Sequence, residues 1–228
     1  RRLDFDSKKR KLKKEMELLY PRICSHCSTD KNISIDHIIP ISKGGTDETV
    51  HALLYGRVCQ PMIGFHNVDI NETVGWAKSL VKEEKLEAYG VDEGGLAGIA
   101  GFLEEDDIPV VRIMFGAAVE ESEDFDNLAA YMWWLLRDAF QNNEISIPDD
   151  HILISQLSKR QFDRTSRGRR KIRIESKQKA RAERHEQSPD RADALAMAWY
   201  TRMCILNDKL DITGYREQVS DAAVVNEQ

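Results

Sequence analysis

Three aspartates stand where they could hold charge in common. Asp190 and Asp193 lie three residues apart in a segment, Ser188 to Leu195, that reads as a helix start, so both carboxylates can leave one face of its first turns. Asp92 follows the strand-like run Leu86 to Val91 and precedes Gly94 and Gly95. That placement aims a carboxylate off the carboxyl edge of a sheet, where sites in mixed folds collect. Carboxylates from separate elements that meet repel one another unless hard cations neutralise them, and oxygen ligands suit Mg²⁺ or Mn²⁺. Taken singly, each acid has an ordinary reading. An acid at a helix start stabilises the dipole, and an aspartate at a strand end sits in a turn.

A second group of chemically capable residues lies near the amino end. Cys24-Ser25-His26-Cys27 is followed by Ile35-Asp36-His37-Ile38-Ile39-Pro40 and by Lys43-Gly44-Gly45-Thr46-Asp47. With Cys59, the pair Cys24 and Cys27 gives three of the four ligands a tetrahedral Zn²⁺ site wants, and no fourth is evident. Four cysteines, only two closely spaced, are too sparse for a disulfide framework, so reduced thiols are expected.

Basic residues form the third group. From Lys159 to Arg184 twelve Lys or Arg stand against three acids. Arg167, Arg169, Arg170, Lys171 and Lys177 are the candidates for phosphate contacts, which are salt-sensitive and blind to sequence. The alternative is a solvated hairpin. The formal net charge of −6 is therefore no argument against a nucleic-acid partner, because the charge is unevenly spread.

The elements that must position these groups alternate between strand and helix. Residues 6 to 19 read as a basic helix that ends at Pro21. Thr49 to Tyr55 and Val58 to Phe65 read as strands around a turn at Gly56, and Glu72 to Lys85 has helical spacing. Val110 to Phe115 is a buried strand, Asp126 to Phe140 an amphipathic helix with Met132, Trp133 and Trp134 as core, and Ile145 to Ile147 a short strand. A helix over Asp150 to Leu157 and a strand over Lys171 to Glu175 follow. The last helix should run to about Asn207, with Ser188 as N-cap and Pro189 as its first residue.

Six segments together carry a resemblance. VDEGG from Val91, PVVRIMFG from Pro109, NLAAYMWW from Asn127, IPDD from Ile147, IESK from Ile174 and SPDRADAL from Ser188 occur in the order of the nuclease domain of phage terminase large subunits. Between about Thr46 and Tyr200 the chain resembles that domain, which is similar to RNase H. The resemblance implies a mixed α/β fold with a central sheet flanked by helices, and a DNA endonuclease that cuts concatemeric phage DNA during genome packaging. It implies two metal ions held by Asp36, on an opening strand Ile33 to Ile39 and with Asp47 as the fallback, by Asp92 and by Asp193, with Asp190 as accessory ligand, for phosphodiester hydrolysis. Its partners would be double-stranded DNA, a terminase small subunit, a portal or a separate ATPase motor. No GxxxxGK[ST] loop occurs in these 228 residues, so the motor itself is not expected here. Gly101 and Leu128 depart from the pattern, standing where an acid and a basic residue are usual.

The amino-terminal segment is similar to the first half of an HNH endonuclease, whose histidine, matched by His37, is the general base and whose preceding aspartate, matched by Asp36, binds a single metal. The expected organisation is a basic helix and partial HNH-like segment over 1–45, a nuclease domain over 46–212 and a loose tail over 213–228. Two rivals stand beside the two-metal nuclease: a single-metal HNH enzyme using His37, and a catalytically inactive DNA-binding or regulatory module. With 41% hydrophobic and 32% charged residues, and no apolar run of about 18, neither a membrane span nor a signal peptide is expected, and a cytoplasmic setting follows.

Overall fold

Strand β2 (Thr49–Tyr55) sends alternate side chains into two cores: Val50, Ala52 and Leu54 into one, Leu53 into the other. This period-two division marks a strand covered on both faces. The computed structural model describes residues 48–66, 68–94, 98–119, 122–165 and 170–207, and the backbone alone of 32–37. That last stretch is β1 (Asn32–His37), antiparallel to β2. β3 (Val58–Cys59) and β4 (Ile63–Phe65) also pair with β2. They replace the single strand expected over Val58 to Phe65, because Pro61 has no N–H to give a ladder. β5 (Tyr89–Asp92) lies beside β1 and pairs in parallel with β6 (Val110–Ile113), extending the layer.

Helices cover both faces. On the Leu53 face, α1 (Ile70–Glu84) starts two residues before the expected Glu72, where Asp69 and Glu72 form a capping box. It buries Ala77 and Val81 alongside α2 (Ile99–Glu104). α2 falls between the strands expected at Leu86 to Val91 and Val110 to Phe115, where no helix is expected; Gly98, at φ 120°, makes the turn into it.

The other face is covered by α6 (Asp190–Leu206), which packs on β1 and β2 and is flanked by α3 (Leu128–Gln141) and α4 (His151–Lys159). Ala192, Ala194, Ala196 and Ala198 let it approach closely, and Leu195 and Met197 are fully buried, each contributing roughly 1.5–3 kcal/mol by leaving water. A helix apolar nearly all round is a core helix, so acids on it are held where the fold puts them.

β7 (Phe162–Arg164) and β8 (Ile172–Ile174) form a separate hairpin leading to α5 (Lys177–Arg184), whose cap is Ser176. Ile145 to Ile147 supplies one bridge, Ser146 to Val58, rather than a strand. Among the described residues no helix is long and apolar enough to cross a membrane. The expected amino-terminal helix, most of the HNH-like segment and the expected tail lie outside the described residues.

Candidate metal centre

Asp92 is the last residue of β5 and is 8% exposed. Its ladder partner on β6 is Ile113, which belongs to the core under α6, so Asp92 stands on the α6 face of the sheet. Its Oδ1 accepts the Gly94 N–H at 2.8 Å, a turn bond that fixes the carboxylate. A Cβ at position 94 would come within 3.1 Å of that oxygen, which is why a glycine suits this turn.

α6 brings the other two acids. The helix begins at Asp190 with Pro189 in the capping position, so Ser188 is not its N-cap; the Ser188 hydroxyl instead accepts from Lys177 Nζ at 3.1 Å. Asp190 and Asp193 are 4% and 2% exposed. Asp190 Oδ2 accepts the Glu48 N–H at 2.9 Å, and Asp193 Oδ1 accepts the Trp133 indole N–H at 2.9 Å. Lys177 Nζ lies 2.8 Å from Asp193 Oδ2 and 4.0 Å from Asp190 Oδ1. Asp92 shares the field of this group, feeling Lys177 as attraction and Asp193 as repulsion.

Arg191 locks the first turn of α6 in place. Its guanidinium takes Glu48 at 2.9 and 3.0 Å and Asp150 at 2.5 Å, joining the approach to β2 and the cap of α4 to the helix start. Glu48, Arg191 and Trp133 were invisible to spacing: their role depends on partners 41 to 143 residues away. Trp133 does pack in the core as expected, yet its N–H is spent on Asp193.

Burial is the leading influence on two of the acids. It pushes the Asp92 carboxyl above its ordinary range, against the Gly94 N–H and Lys177, and it raises Asp190 likewise, against the Ser188 hydroxyl and the Glu48 N–H. Burial alone would lower Lys177, but Asp193 and Asp190 outweigh it and hold the ammonium above its usual value.

With every group ionised, three carboxylates and one ammonium leave a buried charge of −2. Asp190 Oδ1 is buried without a hydrogen bond. Hard oxygen donors with excess negative charge fit a divalent cation. Among the described residues no three carboxylate, imidazole or thiol groups converge tightly enough to bind an ion unaided. Lys177 stands among them as counter-charge.

A raised folded pKa means the folded state binds protons more tightly than the unfolded chain, so metal-free stability falls as pH rises from 3.8 through the raised values. Asp92→Asn keeps the acceptor for Gly94 and removes the penalised charge. In EDTA at neutral pH it is expected to stabilise the fold by roughly 1 kcal/mol, seen as a melting midpoint about 2–4 °C higher. A lower midpoint contradicts this account of Asp92.

The first strand divides its two candidates by face. Register sets position 36 opposite His51, whose ring packs near Phe65 and Trp76 on the α1 side, and position 37 opposite Val50, in the core under α6. The side chains of Asp36 and His37 lie outside the described residues, as do Cys24, Cys27, Asp47, Arg167 and Arg169. Cys59 is buried, its Sγ 3.3 Å from the Gln60 carbonyl oxygen, and burial, followed by the nearby Asp150, pushes its thiol up. Arg170 is exposed and Lys171 half-buried at the loop end of the hairpin.

No protein-family profile matches the chain, and no curated protein matches it. Solved structures do. The nuclease domain of the large terminase subunit gp2 of bacterial virus Sf6 is 22% identical, with a TM-score of 0.59 over 74% of this chain and 88% of that one. A mutant of the same domain with manganese gives 0.61 at 20% identity, over 76% and 90%. The large terminase nuclease of thermophilic phage G20c gives 0.55 at 14% identity, over 75% and 81%. This likeness establishes the fold, a mixed α/β domain of the RNase H-like terminase nuclease type.

Proposed function

We propose that this chain is a divalent-metal-dependent endonuclease acting on double-stranded DNA by two-metal phosphodiester hydrolysis. The observation that carries the reading is that Asp92, at the carboxyl end of β5, stands buried on the α6 face of the sheet within the field of Lys177 and Asp193, the latter buried with Asp190 in the first turn of α6. The neighbours are nuclease domains, one of them with manganese and another with magnesium, which supports the same chemistry here. Asp92 and Asp193 would hold Mg²⁺ or Mn²⁺, with Asp190 as accessory ligand. When bound, the ions would supply a low-pKa water and neutralise charge on the departing oxygen.

The chain's own residues do the rest. Gly94 and Trp133 fix two carboxylates by hydrogen bonds, and the Glu48 N–H fixes the third. Lys177 holds positive charge beside them and can meet a phosphate once a cation takes over its carboxylate partners. β1 would supply the remaining ligand. Asp36 has the ligand chemistry and position 37 has the face, so Asp36→Ala and His37→Ala, assayed side by side, assign the strand's contribution.

The working setting would be the cytoplasm, with a terminase small subunit, a portal or a separate ATPase motor as partners. A second reading, an inactive DNA-binding module, draws on the ion pair that Lys177 makes inside the cluster. Supercoiled plasmid incubated with Mn²⁺, Mg²⁺ or EDTA separates the two. Nicked and linear products with metal and none in EDTA are expected; binding without cleavage under every metal overturns the enzyme.

A further inference from the structure

Beside the acidic cluster a cleft of about 480 Å³ opens between α4 and α5. Its cations are Lys159 and Arg160 at the end of α4, Lys177, and Arg184 at the end of α5; Glu186 is its acid. Arg184 is already committed to Glu175 at 2.5 Å and Glu186 at 2.7 Å, and Lys177 to Asp193. Arg160 is held differently. Its guanidinium lies 5.8 Å from the Trp133 ring centroid, and its Nε is buried with no hydrogen-bond partner. A buried guanidinium N–H without an acceptor leaves free energy to be gained from an anion, and a planar fork of donors matches phosphate.

We propose that this cleft binds the backbone phosphates of a single nucleic-acid strand next to the bond to be cut. Three observations converge on that ligand. Positive charge dominates the lining, so the ligand is anionic. The volume lies in the range of sites that enclose a small ligand, enough for a nucleotide or two of one strand. The cleft is also continuous with the metal centre, because Lys177, Ser188 and Pro189 line it while Lys177 reaches Asp193. A strand lying in it delivers its next phosphodiester to the carboxylates. Arg160 and Lys159 then set how the strand is held, while the hairpin residues Arg170 and Lys171 do not line the cleft. The link to cutting rests on the nuclease reading; the binding does not.

The test is fluorescence anisotropy of a short single-stranded oligonucleotide on the full chain in EDTA, across a salt series. A single-strand contact contributes about 0.7 to the slope of log affinity against log salt, so Lys159→Ala with Arg160→Ala should lower the slope by about 1.4 and weaken binding at every sequence. Glu186→Gln removes the opposing acid and should tighten binding, a gain that misfolding cannot produce. An unchanged slope in the double variant, or weaker binding in Glu186→Gln, overturns the proposal. Inorganic phosphate that competes at millimolar concentration as well as the oligonucleotide does would show a phosphate site with no strand path, and overturns it too. Loss of the slope in a chain that cuts under no metal would sink the nuclease and leave this cleft standing.

Discussion

Asp193→Asn is expected to lower the initial rate of Mn²⁺-dependent plasmid cleavage by about a thousandfold, equivalent to about 4 kcal/mol of transition-state stabilisation. The substitution is close to isosteric, and asparagine keeps an oxygen for the Trp133 indole N–H at 2.9 Å. What it removes is charge, at a position 2% exposed and 2.8 Å from Lys177. Asp92→Asn should cause a similar loss, and the double variant should be little worse than either alone, because residues that hold the same ions act as a unit. Circular dichroism must show all three folded. A rate within threefold of the unaltered chain in either single variant removes that acid from the centre. The contrast with stability is the sharper signature: Asp92→Asn is expected to melt higher in EDTA while cutting far less, and Mn²⁺ should raise the melting midpoint of the unaltered chain only, since a ligand stabilises the state that binds it. An acid retained for packing shows the opposite, a loss of stability with activity kept.

The spacing of Asp190 and Asp193 and the strand-end position of Asp92 are local features, and all three were legible before any fold was known. So were β2, α1 and α3, whose apolar residues are the buried ones, and α6, announced by the Ser, Pro and Asp at its start. What could not be read were properties of approach. Ser188 has the chemistry of an N-cap, but tertiary packing places its hydroxyl against Lys177, and the helix starts later. α5 has a mean composition so polar that only Ala180 is buried, so no apolar period announced it. Lys177 read as one more cation in a basic run. Its position among the acids follows from α5 folding back on the start of α6, and the bridges to Asp193 and Asp190 span 16 and 13 residues. The division of β1 between Asp36 and His37 is likewise a matter of register, which a one-residue slip inverts.

Trp133 offers the second large effect, and here the residue acts through another. Its ring is 5% exposed in the core between α3 and α6, and its N–H is the donor that orients Asp193 Oδ1. Outer partners of this sort set the affinity of a site by fixing the ligand's rotamer, and losing one costs about 10–100-fold in metal affinity. Trp133→Phe keeps the aromatic packing and deletes the donor. The expected result is weaker Mn²⁺ binding by that factor, measured by calorimetry on the uncut chain without DNA, with cleavage largely restored at saturating metal. A purely structural tryptophan behaves otherwise: the midpoint of unfolding drops while metal affinity holds. Trp134→Phe is the matched control. That ring meets Phe125, Phe162 and the Arg137 guanidinium at 4.3 Å, none of which touches the acids. If both substitutions lower stability alike and neither moves the Mn²⁺ affinity, Asp193 is oriented by the helix alone and the indole bond is incidental. If only Trp133→Phe moves it, a residue that hydrophobic spacing assigns to the core belongs to the chemistry as well.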